Sequence, residues 1–346
     1  MESKSKYIVV YTFELDGIEL YINKKDSFGI KEKNLKDLSL LQYGNIYGDR
    51  ISIKIDWKKS KITKESGGSY LMNSLYGTIN IGFPKDLGKN YDYRKFDSYF
   101  RCFVHLIFFI LNISLPGSFD VGRCKYKFAN MGLIKYNESK KPYKVSEIFE
   151  QGGEFNILGD ERFYQMYQQK IIKVDEISLK KVSERTQKFG LWFNPLSSEE
   201  NRLESAIFGL FHLFLNENLG NESLLQVFYL SQILEAIYST PEDRIMNTLF
   251  NRIKILIKID EVTIKKLKKI INKFYNLRSK YVHGEYNINN PILFDNFIDD
   301  EHGIRKIWDD IMEKDIDVIY AIVFASFQKI IEKGLTKIEF EEKLIV

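Results

Sequence analysis

The sequence predicts a two-domain protein, with a β-rich α+β domain over residues 1–194 and an all-α domain over residues 195–346. Three observations support this division. The chain has 346 residues, more than one usual domain of about 100 to 200 residues. Apolar residues alternate with polar ones in the first part, whereas they recur every three to four positions after Pro195. A hydrophobic content of 44% provides enough apolar surface for two cores.

Strand patterns dominate the first 194 residues. Alternating segments at 11–15 and 18–22 flank Asp16-Gly17, which predicts a hairpin with a two-residue turn. Further strands are predicted at 51–57, 78–83 and 123–128, and a helix is predicted at 93–113. This mixture predicts the α+β class without fixing the order of the strands.

Helical signals begin near Pro195. Ser197, with Glu200 three residues later, is a capping box, and Thr240 before Pro241 is a second predicted helix start. Helices are predicted at 198–216, 222–239, 242–257, 263–283, 303–314 and 316–333. Together they predict a helical bundle.

Charge and hydropathy exclude some classes of protein. The net charge of +4 is small for 51 basic and 47 acidic residues, so only local clusters indicate a polyanionic partner. The most apolar stretch, 103–115, is shorter than a membrane span and contains His105. The amino terminus lacks the apolar core and cleavage site of a secretory leader. We therefore expect a cytoplasmic protein without membrane contact.

One arginine lies on the apolar face of the helix at 263–283. Arg278 cannot lose its charge, and an unpaired buried charge is costly, so it needs a carboxylate, a phosphate or a hydrated cleft. The almost wholly apolar helix at 222–239 contains Glu235, the predicted partner. If both are buried, removing either should cost about 3 to 5 kcal/mol. A purely architectural ion pair explains this pattern equally well. The residues predicted on the apolar face are Ile264, Leu267, Ile270, Ile271, Phe274, Leu277, Tyr281 and Val282.

The end of the same helix carries His283 and several lysines. His283 follows Arg278 by five positions, about 140° around an unbroken helix, but Gly284 is a predicted terminator that could let it turn back. A histidine at a helix end is, by itself, more typical of a cap or surface group. Lys273 and Lys280, on the opposite side, are candidate contacts to an RNA backbone, although a solvated face is the alternative interpretation.

Residues 275–284 form an extended motif, Tyr-Asn-Leu-Arg-Ser-Lys-Tyr-Val-His-Gly. It resembles the Arg-x4-His signature of the HEPN superfamily, in the form found in the ApeA-like HEPN family. The segment Leu234-Glu235-Ala236 resembles one on an earlier helix of that family. The resemblance covers roughly residues 195 to 335. The amino-terminal half shares no motif with the family, although a large β-containing region before the helical domain also resembles the ApeA-like arrangement.

The resemblance implies a metal-independent endoribonuclease acting as a homodimer with a composite active site. His283 would move protons at the ribose 2′-OH and the leaving 5′ oxygen, and Arg278 would stabilise charge on the phosphate. Ser279 would orient the phosphate, or else be a solvated helix residue, and Glu235 would fix Arg278. We expect no cofactor and no metal, since the acidic run at 299–302 is more typical of a solvated loop.

The resemblance also implies a role in bacterial anti-phage defence, as a toxin or abortive-infection nuclease. The amino-terminal domain would sense a signal or restrain the nuclease, and it would respond to a phage-derived trigger or a regulatory partner. Some HEPN toxins are silenced by modification of a tyrosine two residues after the histidine, but here that position is Glu285. The alternative function is a non-catalytic RNA-binding or protein-interaction module, in which Arg278 and Glu235 are structural.

Overall fold

The fold is described from a computed structural model. The chain divides into two compact units, Met1–Glu161 with Glu176–Glu200, and Arg162–Asp175 with Asn201–Val346. The residues that the structure describes are 6–16, 19–20, 40–46, 49–59, 75–82, 106, 109–116, 119–120, 123–136, 142–144, 151–156, 166, 169–188, 202–215, 224–238, 245–285, 315–336, 338 and 340.

Nine strands are described in the first unit. They are β1 (Lys6–Asp16), β2 (Glu19–Leu20), β3 (Leu40–Ile46), β4 (Asp49–Lys59), β5 (Leu75–Gly82), β6 (Phe119–Asp120), β7 (Arg123–Tyr136), β8 (Pro142–Lys144) and β9 (Gln151–Asn156). The central strand of one sheet is β7, which pairs antiparallel with β1, β8 and β9. A second sheet has the order β3-β4-β5.

The hairpin predicted around Asp16-Gly17 is wrong. β1 pairs with β7, from Lys6 opposite Tyr136 to Asp16 opposite Lys125, and β2 pairs instead with β6. A period of two identifies a strand without identifying its partner, so the alternating pattern could not distinguish these pairings.

Helical structure in the first unit is described at 106, at 109–114 and in α1 (Leu179–Lys188). Leu106, Phe109 and Ile110 are fully buried, as expected for an apolar core segment. The rest of the helix predicted at 93–113 lies outside the described residues. The β-rich α+β class of the whole region stays a prediction.

The described part of the second unit is all-helical, which confirms the all-α prediction for the carboxyl-terminal region. Its helices are α2 (Arg202–Leu215), α3 (Leu224–Tyr238), α4 (Ile245–Ile257), α5 (Glu261–Val282) and α6 (Asp315–Lys333). The predicted helix at 303–314, the capping box at 197–200 and the cap at Thr240-Pro241 lie outside the described residues.

The core of the second unit is built around α6. Fifteen of its nineteen residues are buried, and it packs against α3, α4 and α5. Two polar contacts within this apolar interior join α6 to α3. The Tyr320 hydroxyl donates to Gln226 Oε1 at 3.3 Å, and the hydroxyls of Tyr238 and Ser326 are 2.5 Å apart. These bonds add a directional constraint to the packing of α6 on α3.

A glycine allows α2 to approach α3 closely. A Cβ atom placed on Gly209 would lie 2.7 Å from Ile233 Cγ1, closer than real carbon atoms approach. Gly209 therefore sets the spacing between these helices, and with it the placement of α3, which carries Glu235.

A segment before the predicted domain boundary belongs to the second unit. The Gln328 side chain on α6 accepts a hydrogen bond from the Asp175 backbone N–H at 3.1 Å and donates one to the Asp175 carbonyl. This two-point contact attaches Arg162–Asp175 to the helical unit. The boundary at 195, placed where the helical pattern begins, did not include this segment.

Candidate functional site

Arg278 lies on the side of α5 that packs towards α3. Most of the predicted apolar face is buried, from Ile264 to Leu277. Val282 is an exception, because 49% of it is exposed. Tyr275, which was not assigned to that face, is 92% buried, since its relative exposure is 8%.

Arg278 faces the predicted carboxylate partner. Its Nη2 atom is 3.9 Å from Glu235 Oε1, and the two side chains are 28% and 26% exposed. This separation satisfies an ion pair but is too long for a hydrogen bond. Glu235 Oε1 and Arg278 Nε have no hydrogen-bond partner within the described part of the chain. The prediction that Glu235 pairs with Arg278 is confirmed, but the ion pair is half-buried and its 3.9 Å separation is long.

Tyr275 joins this pair as a third member, one turn before Arg278 on α5. Its hydroxyl is inaccessible to solvent and has no hydrogen-bond partner among the described residues. Burial raises the pKa of Tyr275 well above its usual value, and the nearby Glu235 carboxylate adds to this effect. The hydroxyl therefore stays protonated and remains a potential donor. Its wheel position, about 20° from Ile264, could have identified it from the sequence.

Burial also dominates the electrostatics of Glu235. Loss of hydration raises the pKa of its carboxyl above the ordinary value of 4.5, while Arg278 and, more weakly, Tyr275 lower it. The Tyr275 hydroxyl therefore lowers the pKa of Glu235, as a nearby donor does, although Tyr275 Oη and Glu235 Oε1 do not meet standard hydrogen-bond geometry. The net direction shows that the Arg278 charge does not fully compensate the burial of Glu235.

The end of α5 confirms the predicted role of Gly284. Glu285 N–H bonds to the Lys280 carbonyl at 2.9 Å and Gly284 N–H to the Tyr281 carbonyl at 3.3 Å, a Schellman motif. Gly284 has a φ of +68°, which favours glycine. The helix therefore ends where the sequence predicted.

His283 is the exposed C-cap of α5. Its backbone, with φ −87° and ψ 4°, stays near the helical region and donates to the Ser279 carbonyl at 2.9 Å. The chain therefore makes no sharp turn before His283, contrary to the predicted turn back, because the reversal occurs at Gly284. No hydrogen bond joins Arg278 to His283 within the described residues.

The remaining predicted residues lie on the accessible side of α5. Lys273 Nζ is 3.1 Å from Asp315 Oδ2 at the start of α6. Lys280 is exposed and makes no ion pair within the part of the chain described. Ser279 is half-buried beside Arg278. Among the described residues, Lys273 is therefore engaged by a carboxylate and Lys280 is not.

Three aromatic rings and one leucine form an accessible surface on α2 and α3. On α2, Phe208 is 39% exposed and His212 stacks on Tyr229 of α3, with ring centroids 5.2 Å apart and planes 3° from parallel. Leu225 on α3 is 40% exposed. We call these four residues the aromatic surface. Leu225 and Tyr229 are four residues apart and lie on the same side of α3, whereas Glu235 lies about 120° around the helix from Tyr229.

The described residues show neither a metal cluster nor a membrane span. No group of three or more His, Cys, Asp or Glu side chains in the described ranges could hold a metal ion. The acidic run at 299–302 lies outside those ranges. None of the helices described is long and apolar enough to cross a membrane.

Comparisons with protein-family models, with curated proteins and with solved structures found no match to this chain.

Proposed function

We propose that this chain is a metal-independent endoribonuclease whose catalytic residues are Arg278 and His283. The observation that carries the proposal is the state of Arg278. A permanently charged guanidinium lies at a helix interface 3.9 Å from its carboxylate, too far for a hydrogen bond, and 28% of the arginine side chain remains exposed. A phosphate can supply acceptors to the exposed part of the guanidinium, because guanidinium binds phosphate through two parallel hydrogen bonds.

The proposed reaction transfers a phosphoryl group within the RNA strand. His283 accepts the proton of a ribose 2′-OH, and the 2′ oxygen forms a bond to the adjacent phosphorus as the bond to the 5′ oxygen breaks. A protonated histidine returns a proton to that leaving oxygen. Arg278 stabilises the charge on the phosphate oxygens, with Ser279 in a position to orient the phosphate. DNA, which lacks the 2′-OH, is not a substrate.

A homodimer with a composite site is part of the proposal. Arg278 and His283 leave α5 about 140° apart and about 7.5 Å apart along its axis, so one protomer presents them in different directions. Support for a second copy comes from the aromatic surface, in which Phe208 and Leu225 are about 40% exposed and His212 stacks on Tyr229. Depletion of charge and enrichment in aromatic residues are typical of interface centres.

The test measures RNA cleavage and folding on the same variants. His283→Ala should abolish cleavage of a single-stranded RNA and leave the thermal unfolding midpoint within experimental error, since His283 is exposed. Asn276→Ala, at an exposed position of the same helix, is the matched control and should cleave normally. Cleavage by His283→Ala at the wild-type rate would refute the proposed site.

A second candidate function is a non-catalytic RNA-binding module. The exposed lysines of α5 favour it, because several phosphate contacts supply most nonspecific affinity. Under this hypothesis, wild type and His283→Ala bind RNA equally and neither cuts it. Gel analysis of the bound RNA after incubation distinguishes the two functions.

The proposed cellular role is cytoplasmic anti-phage defence, in which the amino-terminal region senses a phage-derived trigger or restrains the nuclease. Its support is the motif at 275–284 and its resemblance to the ApeA-like HEPN family. Triggered expression of the wild type should arrest bacterial growth, and expression of His283→Ala should not. Equal growth of both cultures would refute the toxin hypothesis. The proposed RNA cleavage would still be decided by the assay on purified protein.

A further inference from the structure

Three polar atoms with unmet hydrogen bonds belong to the packed helices α3 and α5. They are Glu235 Oε1, Tyr275 Oη and Arg278 Nε, each inaccessible to solvent and without a partner among the described residues. Buried polar atoms in native proteins are nearly always hydrogen-bonded. Such a concentration beside the candidate catalytic arginine therefore requires an explanation.

Tyr275 is held in a defined orientation. Its ring packs edge-on against Phe274, with centroids 5.4 Å apart and an interplanar angle of 81°, and its side chain is buried in the helix interface. The hydroxyl and the Glu235 carboxylate influence each other. Glu235 raises the pKa of Tyr275, and Tyr275 lowers the pKa of Glu235. A protonated hydroxyl and a carboxylate are complementary donor and acceptor.

We propose that Tyr275 is a positioning residue of the candidate site, whose hydroxyl donates to the Glu235 carboxylate and fixes it against one edge of Arg278. The bond satisfies two of the three unmet atoms. It also restrains the carboxylate, which in turn restrains the guanidinium, so the accessible donors of Arg278 keep a constant direction towards a phosphate. The effect on cleavage rests on the proposed ribonuclease function, whereas the hydrogen bond itself does not.

Few other groups influence Glu235. α3 packs against α2, α4, α5 and α6. Within the described ranges, the charged or titratable groups that act on Glu235 are Tyr275 and Arg278, both on α5. A change in the titration of Glu235 after substitution of Tyr275 can therefore be attributed to loss of the hydroxyl.

The first test uses stability and needs no enzymatic activity. Urea midpoints are measured at pH 5 and pH 8 for wild type, Tyr275→Phe, Glu235→Gln and the double variant. Loss of the donor should raise the pKa of Glu235 further. A carboxyl with a raised pKa stabilises the fold at low pH and loses that contribution as pH rises. Tyr275→Phe should therefore lose more midpoint between pH 5 and pH 8 than wild type does.

The double variant determines whether the interaction is direct. In the Glu235→Gln background, Tyr275→Phe should leave the pH dependence unchanged, because the titrating group is absent. Tyr281→Phe, the same substitution six positions later on α5, is the control and should behave like wild type. An equal increase of the pH dependence in both backgrounds, or no increase in either, overturns the proposal.

The second test links Tyr275 to the proposed reaction. Under single-turnover conditions, Tyr275→Phe should cut RNA about 10-fold more slowly, as expected from loss of one hydrogen bond near a charged group. The acidic limb of its pH–rate profile should move to higher pH. A slower rate with an unmoved limb would indicate a structural role and contradict the positioning one. If the wild type cuts no RNA, the proposed function fails, and the stability test still decides the role of Tyr275.

Discussion

Replacement of Glu235 by glutamine tests whether the ion pair with Arg278 stabilises the fold. Coulomb's law gives about 4 kcal/mol of attraction for charges 3.9 Å apart at an effective dielectric constant of about 20. Burial opposes this attraction, and the raised pKa of Glu235 shows that burial is the larger effect. Glutamine keeps the shape and one acceptor oxygen. We therefore expect the free energy of unfolding at pH 7 to stay within about 1 kcal/mol of wild type.

That expectation replaces the loss of about 3 to 5 kcal/mol predicted for a fully buried pair. Both side chains retain about a quarter of their exposure, so Arg278 can be hydrated when Glu235 is absent. The measurement is urea unfolding of wild type and Glu235→Gln between pH 5 and pH 8. Because the pKa of Glu235 is raised in the folded state, wild type should lose stability relative to Glu235→Gln as pH rises.

A second paired carboxylate supplies the control for this experiment. Glu332 pairs with Lys329 at 2.8 Å on α6, so Glu332→Gln is the matched replacement of a paired carboxylate by an amide. If wild type instead gains stability relative to Glu235→Gln with rising pH, attraction by Arg278 exceeds the effect of burial. The assignment of Glu235 as a carboxyl with a raised pKa would then be wrong.

Three further predictions concern the nuclease site and the helix packing beneath it. Arg278→Lys keeps the charge but loses the planar fork, so RNA cleavage should fall about 100-fold with little change in the unfolding midpoint; wild-type cleavage would make Arg278 structural. Cleavage should persist in EDTA and spare DNA, and inhibition that added divalent metal reverses would exclude the metal-free mechanism. Gly209→Ala should destabilise the fold by about 1 to 3 kcal/mol in urea unfolding, because the new methyl group overlaps Ile233; an unchanged midpoint would show that α2 and α3 separate freely.

The helices of the second unit were predictable because their apolar period is long and regular. The helix predicted at 263–283 is observed as Glu261–Val282, and that at 222–239 as Leu224–Tyr238. The start of α5 depends on Asp260, which caps the helix by accepting hydrogen bonds from the Val262 and Thr263 backbone N–H groups at 3.0 and 2.8 Å. Such local signals are present in the sequence itself.

Contacts between distant residues were harder to predict. The pairing of Glu235 with Arg278 followed from charge scarcity, since each is an isolated charge on an apolar face. The strand partner of β1 did not follow, because alternation is the same whichever strand lies beside it. The attachment of Asp175 through Gln328 also left no sequence signal. A single glutamine among apolar residues does not show which backbone groups its amide side chain will bond to.

Two lysines of α5 differ in their availability to RNA, and their comparison tests the proposed phosphate contacts. Lys280→Ala should weaken RNA binding and lower the slope of log affinity against log salt by about 0.7, the value for one phosphate contact on a single strand.

Lys273→Ala should have a smaller effect on both quantities. Lys273 must first leave Asp315, a surface ion pair worth about 1 kcal/mol or less. Asp315→Asn releases Lys273 and should therefore increase affinity, and it should do so only when Lys273 is present. Fluorescence anisotropy with a labelled RNA at several salt concentrations measures both quantities. If Asp315→Asn raises affinity equally in the Lys273→Ala background, the gain comes from removing a negative charge, and Lys273 does not bind RNA.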